Sequence, residues 1–261
     1  MELPLLILLL RTPDKVLEGT LNIVLLLATM QRRNIEDKVG NYHLTVEEEW
    51  NRILPQHLWI YNKLILSQRL GYTCGPAGLE VPEPGFYIIR PIMNLMGMGR
   101  YSRIEYIESC TEHLHPGEFW CEIFEGDHIS VDYEYHEDRT GYYPQYSMDH
   151  SVDFHVKEQR LAVRGFKDDP YSHRFSRWEK VDIQIPYPKI LTTIGLYRYG
   201  WINCEFIGGK LIEVHFRRNP DFRYGNSVTI PVWEGDEINP PEGFEYIDED
   251  DHDRLGYYIN R

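Results

Sequence analysis

Trp201-Ile-Asn-Cys-Glu-Phe-Ile-Gly-Gly-Lys-Leu-Ile-Glu-Val-His-Phe-Arg217 consists of two β-rich runs joined at Gly208-Gly209. Paired glycines between alternating runs are a strong hairpin signal, because tight hairpin turns need positive φ and glycine adopts it without steric cost. A three-residue loop over Gly208 to Lys210 predicts Glu205 opposite Glu213 and Asn203 opposite His215. One face then carries Asn203, Glu205, Glu213, His215 and Arg217. The other carries Cys204, Phe206, Ile212, Val214 and Phe216, a set suited to a core. A two-residue loop would put the two glutamates on opposite faces.

Like charges directly across a sheet destabilise it, so placing Glu205 against Glu213 points to a counter-cation. Carboxylate oxygens together with water and phosphate suit Mg²⁺. The competing reading is a polar hairpin face turned to water, which is ordinary in antiparallel sheets.

Outward from the hairpin, Leu58 to Leu70 has helical apolar spacing and is ended by Gly71. Phe86-Tyr87-Ile88-Ile89 reads as a strand that ends at Arg90-Pro91 and leads into the glycine-bearing loop Asn94 to Arg100. Phe119 to Phe124 and His128 to Tyr133 read as further strands, and Val152 to Val163 as more. Residues 166–188 read as a loop carrying Lys167, Arg174, Arg177 and Lys180, and Lys189 to Tyr199 as a helix. Loop cations of this kind steer anions, so at least one of Arg174, Arg177 and Lys180 is expected to touch phosphate or substrate.

The chain of 261 residues is 42% apolar and 13% aromatic, an ordered composition with enough apolar surface for a sizeable core. Acidic residues outnumber basic ones by 41 to 27, which disfavours nucleic acid as a main partner. Much of that excess lies in Glu234 to Asp253, which reads as a solvated acidic surface or frayed tail. The apolar runs Leu3 to Leu10 and Leu21 to Ala28 are too short for the roughly 20 residues of a membrane span, and the first makes a poor signal peptide. A buried strand and a buried helix are expected there, and no membrane association. Thr45-x-x-Glu48 resembles a capping box at a helix start. Four cysteines without a Cys-x-x-Cys pair suit a reducing, cytoplasmic setting, and Cys110, His113, His115 and Cys121 match no usual zinc spacing.

Taken in order, segments over about residues 58–220 resemble the ATP-grasp enzymes of the carboxylate–amine or carboxylate–thiol ligase type. Asn62-Lys63 before Leu70-Gly71-Tyr72 is similar to the helix that carries a phosphate-contacting lysine. Tyr87 to Pro91 is similar to the strand whose terminal cation meets phosphates, and Gly97-Met98-Gly99 stands where the family has its glycine-rich lid. Cys121-Glu122-Ile-Phe124 through His128 to Asp132 resembles the hinge that reads adenine. The spacing of Asn203-Cys-Glu205 and Glu213-Val-His215-x-Arg217 is most like the glutathione synthetase branch.

The resemblance implies an α+β fold with two α+β lobes sandwiching a nucleotide. Residues 1–56 form a short N-terminal α/β segment, 57–120 the first lobe, and 121–261 the second lobe with the metal hairpin and acidic extension. It implies ATP with Mg²⁺ or Mn²⁺. Lys63 and Arg90 then meet the phosphates and Gly97 and Gly99 close over them, while Cys121, Glu122, Phe124 and His128 border the base and ribose. Glu205, Glu213 and His215 hold the metal, and Arg217 with Arg90 holds the reacting acid. His215 stands where the family usually has asparagine, and imidazole favours Mn²⁺ over Mg²⁺. The implied activity is an ADP-forming ligase that joins a small-molecule carboxylate to an amine through an acyl phosphate. The alternatives are a non-catalytic nucleotide-binding protein on a degenerate scaffold, or a β-rich assembly protein. Association into a homo-oligomer is left open by the sequence.

Overall fold

The computed structural model describes residues 46–93, 99, 101–137, 155–169, 172–192, 196–222, 227–251 and 253–260. The chain divides into two units, residues 1–43 and 44–261, and every described element belongs to the second. The expectations for the two N-terminal apolar runs, for Thr45 as a cap and for Gly97 lie outside the described residues.

The fold is α+β, with two antiparallel sheets and a few short helices. The helices are α1 (Val46–Arg52), α2 (Leu58–Tyr61) and α3 (Lys63–Arg69). The first sheet holds β1 (Cys74–Pro76), β2 (Gly85–Pro91), β3 (Arg103–Ile107) and β4 (Glu118–Cys121), in the order β1-β4-β2-β3. The second holds β5 (His128–Glu137), β6 (His155–Phe166), β7 (Arg177–Lys180), β8 (Trp201–Ile207), β9 (Lys210–His215), β10 (Val228–Trp233), β11 (Glu245–Asp251) and β12 (Arg254–Ile259). Its order is β11-β12-β10-β7-β6-β5-β8-β9, which leaves β9 at an edge that α2 and α3 lie against. Covering an edge in this way removes a row of unpaired backbone groups from water.

The helix read over Leu58 to Leu70 is broken at Asn62, whose backbone is extended (φ −83°, ψ 104°) and whose side chain caps the Ile65 N–H at 2.9 Å. The break suits an asparagine, which competes well for N-terminal N–H groups. It also frees the Lys63 N–H to reach the Ile92 carbonyl at 2.9 Å, which ties α3 to the end of β2. The helix read over Lys189 to Tyr199 is instead two 3₁₀ turns, Lys189–Leu191 and Leu196–Tyr199. The loop read over 166–188 contains β7, whose Trp178 is 2% exposed. The acidic end is a strand pair: Asp253 accepts from Arg174 and His173, and buried Arg254 meets Asp221 at 2.6 Å.

The β8–β9 hairpin keeps the expected pairing by a different route. Its loop has two residues, Gly208 and Gly209, with φ of +55° and +80°, and Ile207 pairs with Lys210. A bulge on β9 at Ile212 then restores Glu205 opposite Glu213 and Asn203 opposite His215. Leu211 rather than Ile212 therefore joins Phe206, Val214 and Phe216 in the apolar core, with Ile60 and Leu66 from α2 and α3.

Candidate functional site

Three neighbouring strands present one polar face. Strand register puts Ser130, Glu205 and Glu213 in one row across β5, β8 and β9, and Asp132, Asn203 and His215 in the next. In a sheet with one face on water such residues would be exposed. Here Glu213, His215, Asn203, Ser130 and Asp132 are all buried, and Glu205 is half-buried. The reading of a solvated hairpin face therefore fails: α2, α3 and the end of β2 cover it.

At the centre is the Glu213 carboxylate. Its Oε2 is 2.9 Å from Lys63 Nζ and 3.3 Å from Arg90 Nη2, and its Oε1 is 3.1 Å from His215 Nε2. Arg90 also donates from Nη1 to the Ile212 carbonyl at 3.3 Å, a group turned out by the bulge. Burial alone would raise the carboxyl's pKa, but Lys63, His215 and Arg90 hold it well below the ordinary range. Burial lowers the pKa of Lys63, with Glu213 opposing and Arg90 adding to the fall. Lys63, Arg90 and the hairpin glutamates come from three separate elements, so this convergence is a property of the fold.

Glu205 is held more loosely. Its Oε2 lies 3.1 Å from His128 Nε2, and its Oε1 is 3.9 Å from His215 Nε2. Burial and Glu213 raise its pKa, and His128 together with His215 brings it below the ordinary value. His128 itself packs edge-on against Phe175 and Trp178, at 5.0 and 5.7 Å between ring centroids.

His215 sits between two carboxylates. Its Nδ1 is 3.4 Å from Glu49 Oε2, close enough for charge pairing but not aligned as a hydrogen bond. Burial and Arg217 push its pKa down, yet Glu49 and Glu213 raise it to about 9, so at neutral pH the ring carries both protons. Arg217 is buried with its Nε 3.0 Å from Glu49 Oε2 and its Nη1 donating to the Arg218 carbonyl, which commits it to an internal pair.

The segment expected to read a base is packed among its neighbours. Cys121 is buried in β4, Glu122 Oε1 accepts the Thr73 N–H at 2.8 Å, and Phe124 stands edge-on to Tyr72 at 4.7 Å. Gly99 has φ +65° with open space at its Cβ position. Arg174 pairs with Asp253 and Arg177 with Glu179.

Sequence reasoning gave no role to Glu49 or to Lys167. Lys167 feels both Glu205 and Arg90, and burial lowers its pKa. It also missed Asp132, whose Oδ1 accepts from Asn203 Nδ2 and from the Asn219 N–H at 2.9 Å each. The available signal was the alternation of His128, Ser130 and Asp132 with Ile129, Val131 and Tyr133, which marks a polar face on β5. Among the described residues no group of three or more His, Cys, Asp or Glu is arranged to hold a metal ion, and no helix is long and apolar enough to cross a membrane.

No family model and no curated protein matches the sequence. Among solved structures the chain is similar to one described as a candidate ATP-grasp superfamily protein from Archaeoglobus fulgidus, at 12% identity and a TM-score of 0.42. The match covers 78% of this chain and 65% of that one, so the chain spans just under two thirds of the structure it resembles.

Proposed function

We propose that the buried cluster is the phosphate and metal end of an ATP site, and that the protein is an ATP-dependent ligase joining a small-molecule carboxylate to an amine. The observation that carries this reading is the meeting of Lys63, Arg90 and the Glu205–Glu213 pair at one point between the two sheets. Cations that rest on a carboxylate are available to an anion once another cation takes their place at that carboxylate.

The donor set fits Mg²⁺ through Glu205 and Glu213, which supply oxygen only. His215, protonated while Glu213 is paired with it, would have to release its Nε2 proton to join them as a ligand. A divalent ion bound by these carboxylates would neutralise developing charge in phosphoryl transfer. Lys63 and Arg90 bind and orient the phosphates, with Gly99 in the segment that approaches them. Because Arg217 is spent on Glu49, Lys167 is the cation positioned to hold the reacting acid. The protein is placed in the cytoplasm on this reading.

The competing reading, a scaffold without turnover, draws on the saturation of Glu213 by Lys63, Arg90 and His215. Metal-dependent ADP release separates the two, and thermal unfolding with ATP, with and without Mg²⁺, tests the site itself, because a ligand bound to the native state raises the midpoint. The expected result is a metal-dependent rise in wild type that is lost in Glu205→Gln, a half-buried position where the change leaves no buried cation unpaired. A midpoint indifferent to millimolar nucleotide and metal would remove the ATP reading.

A further inference from the structure

Cys74 and Cys121 stand directly opposite each other on β1 and β4. The backbone bonds from Glu122 N–H to Thr73 O and from Ala77 N–H to Glu118 O lie on either side of the Gly75–Trp120 pair, each two pairs from it. In an antiparallel ladder, hydrogen-bonded and non-hydrogen-bonded pairs alternate, so Cys74 and Cys121 occupy a non-hydrogen-bonded pair, as does Pro76, which has no N–H to give. That is the close class, with Cα atoms about 4.5 Å apart and side chains on one face, within the range a disulfide spans.

Both thiols are free. The neighbouring Cys121 lowers the pKa of Cys74, while Cys74, with burial, raises that of Cys121. Cys74 is half-buried and Cys121 is 1% exposed, so one sulfur meets solvent and the other waits behind it. Arg90 lies near enough to Cys121 to favour its thiolate once the proton has left.

We propose that Cys74 and Cys121 form a reversible thiol-oxidation site that closes to a cross-strand disulfide when the protein meets a low-molecular-weight disulfide such as oxidised glutathione. The Cys74 thiolate attacks one sulfur of the small disulfide, which forms a mixed disulfide and releases one thiol. Cys121 then gives up its proton and attacks Cys74 Sγ. The Sγ–Sγ bond forms, the mixed disulfide breaks, and the second small thiol departs with a proton. Two electrons pass from the protein thiols to the small disulfide, and two small thiols are produced. The closed bond fastens the short edge strand β1 to the strand that leads to Glu122 and Phe124. This proposal stands independently of the ATP reading.

The test is to equilibrate the full chain with mixtures of reduced and oxidised glutathione, alkylate the remaining thiols, and map peptides by mass. The expected result is a linked pair of peptides holding Cys74 and Cys121. Its yield should follow the glutathione ratio, reverse with dithiothreitol, persist in Cys110→Ser and vanish in Cys74→Ser. Cys74 is only half-buried, and the melting midpoint of the reduced Cys74→Ser variant shows that its fold is intact. Both cysteines remaining alkylatable while exposed Cys110 takes up glutathione would overturn the proposal, as would Cys74 stopping at the mixed disulfide.

Discussion

The Glu49 carboxylate, with no exposed surface, bonds Arg217 Nε at 3.0 Å and also accepts the Phe216 N–H at 2.6 Å. The two residues are 168 positions apart, so the pair fastens α1 to the strand end that carries His215. Removing one partner of a buried pair strands the other charge, which costs more than the pair itself contributes. Glu49→Ala should therefore lower unfolding stability by about 3–5 kcal/mol, and replacing Glu49 and Arg217 together by Met should restore most of it. Urea unfolding of wild type, Glu49→Ala and the double Met variant gives the answer. A Glu49→Ala loss below ~1 kcal/mol would mean that the pair does not anchor the helix.

The turn offers a comparison with its own control. A Cβ on Gly208 would meet the Glu125 carbonyl oxygen at 1.9 Å, whereas one on Gly209 would meet nothing within 4 Å, although both have positive φ. Gly209→Ala should cost only the left-handed backbone penalty of about 1–2 kcal/mol. Gly208→Ala should cost more, because backbone cannot retreat as a flexible side chain can. Equal midpoints in a denaturant titration would show that the 125–126 segment gives way freely.

Much of this arrangement was legible in residue order, and the remainder was not, for physical reasons. The pairing of Glu205 with Glu213 was expected from a three-residue loop, whereas the loop has two residues and the bulge at Ile212 restores the pairing; alternation marks faces and carries no trace of one extra residue. The break at Asn62 was hidden by apolar spacing that fits a continuous helix on either side of it. Strand β7 carries one buried tryptophan among charges, Arg177-Trp178-Glu179-Lys180, too little alternation to stand out. Arg217 read as a group for the reacting acid and Glu49 was given no role, since only tertiary packing brings the two together. Asp132 was visible as a polar residue in a strand, but its burial depends on what covers the face.

That burial has a pH consequence. Asp132 is 1% exposed and its Oδ2 has no hydrogen-bond partner; burial raises its pKa to about 6 despite bonds from Asn219 and Asn203. Its folded pKa lies above the unfolded value of about 3.9, so its contribution is full below about pH 4 and is lost as pH rises through about 6. The difference amounts to roughly 3 kcal/mol at full ionisation. Asp132→Asn keeps the Oδ1 acceptor and removes the titration. Relative to this variant, wild type should lose stability between pH 4 and pH 7, and a pH-independent gap between the two would refute the assignment.

Lys167, just after β6, has surroundings that differ from those of Arg160, Arg164 and Arg177. Arg160, Arg164 and Arg177 each pair with a carboxylate, but Lys167 makes no ion pair among the described residues. Its Nζ donates to the Ser172 carbonyl at 2.8 Å and lies 4.6 Å from the Phe175 ring centroid, and the charges of Glu205 and Arg90 act on its pKa. A half-buried ammonium without a counter-ion is held ready for an anion, and a charge-assisted bond of this kind is worth about tenfold in affinity. Lys167→Met, which keeps the apolar stem, should leave the ligand-free melting midpoint close to wild type. It should weaken the binding of anionic ligand at the Glu205–Glu213 site by about tenfold in calorimetric titration with ATP and Mg²⁺. Arg177→Met, which removes a surface cation already paired with Glu179, should bind as wild type does. If both variants bind equally well, the cation serving the site is not Lys167; if both weaken alike, the effect is one of overall charge rather than of position.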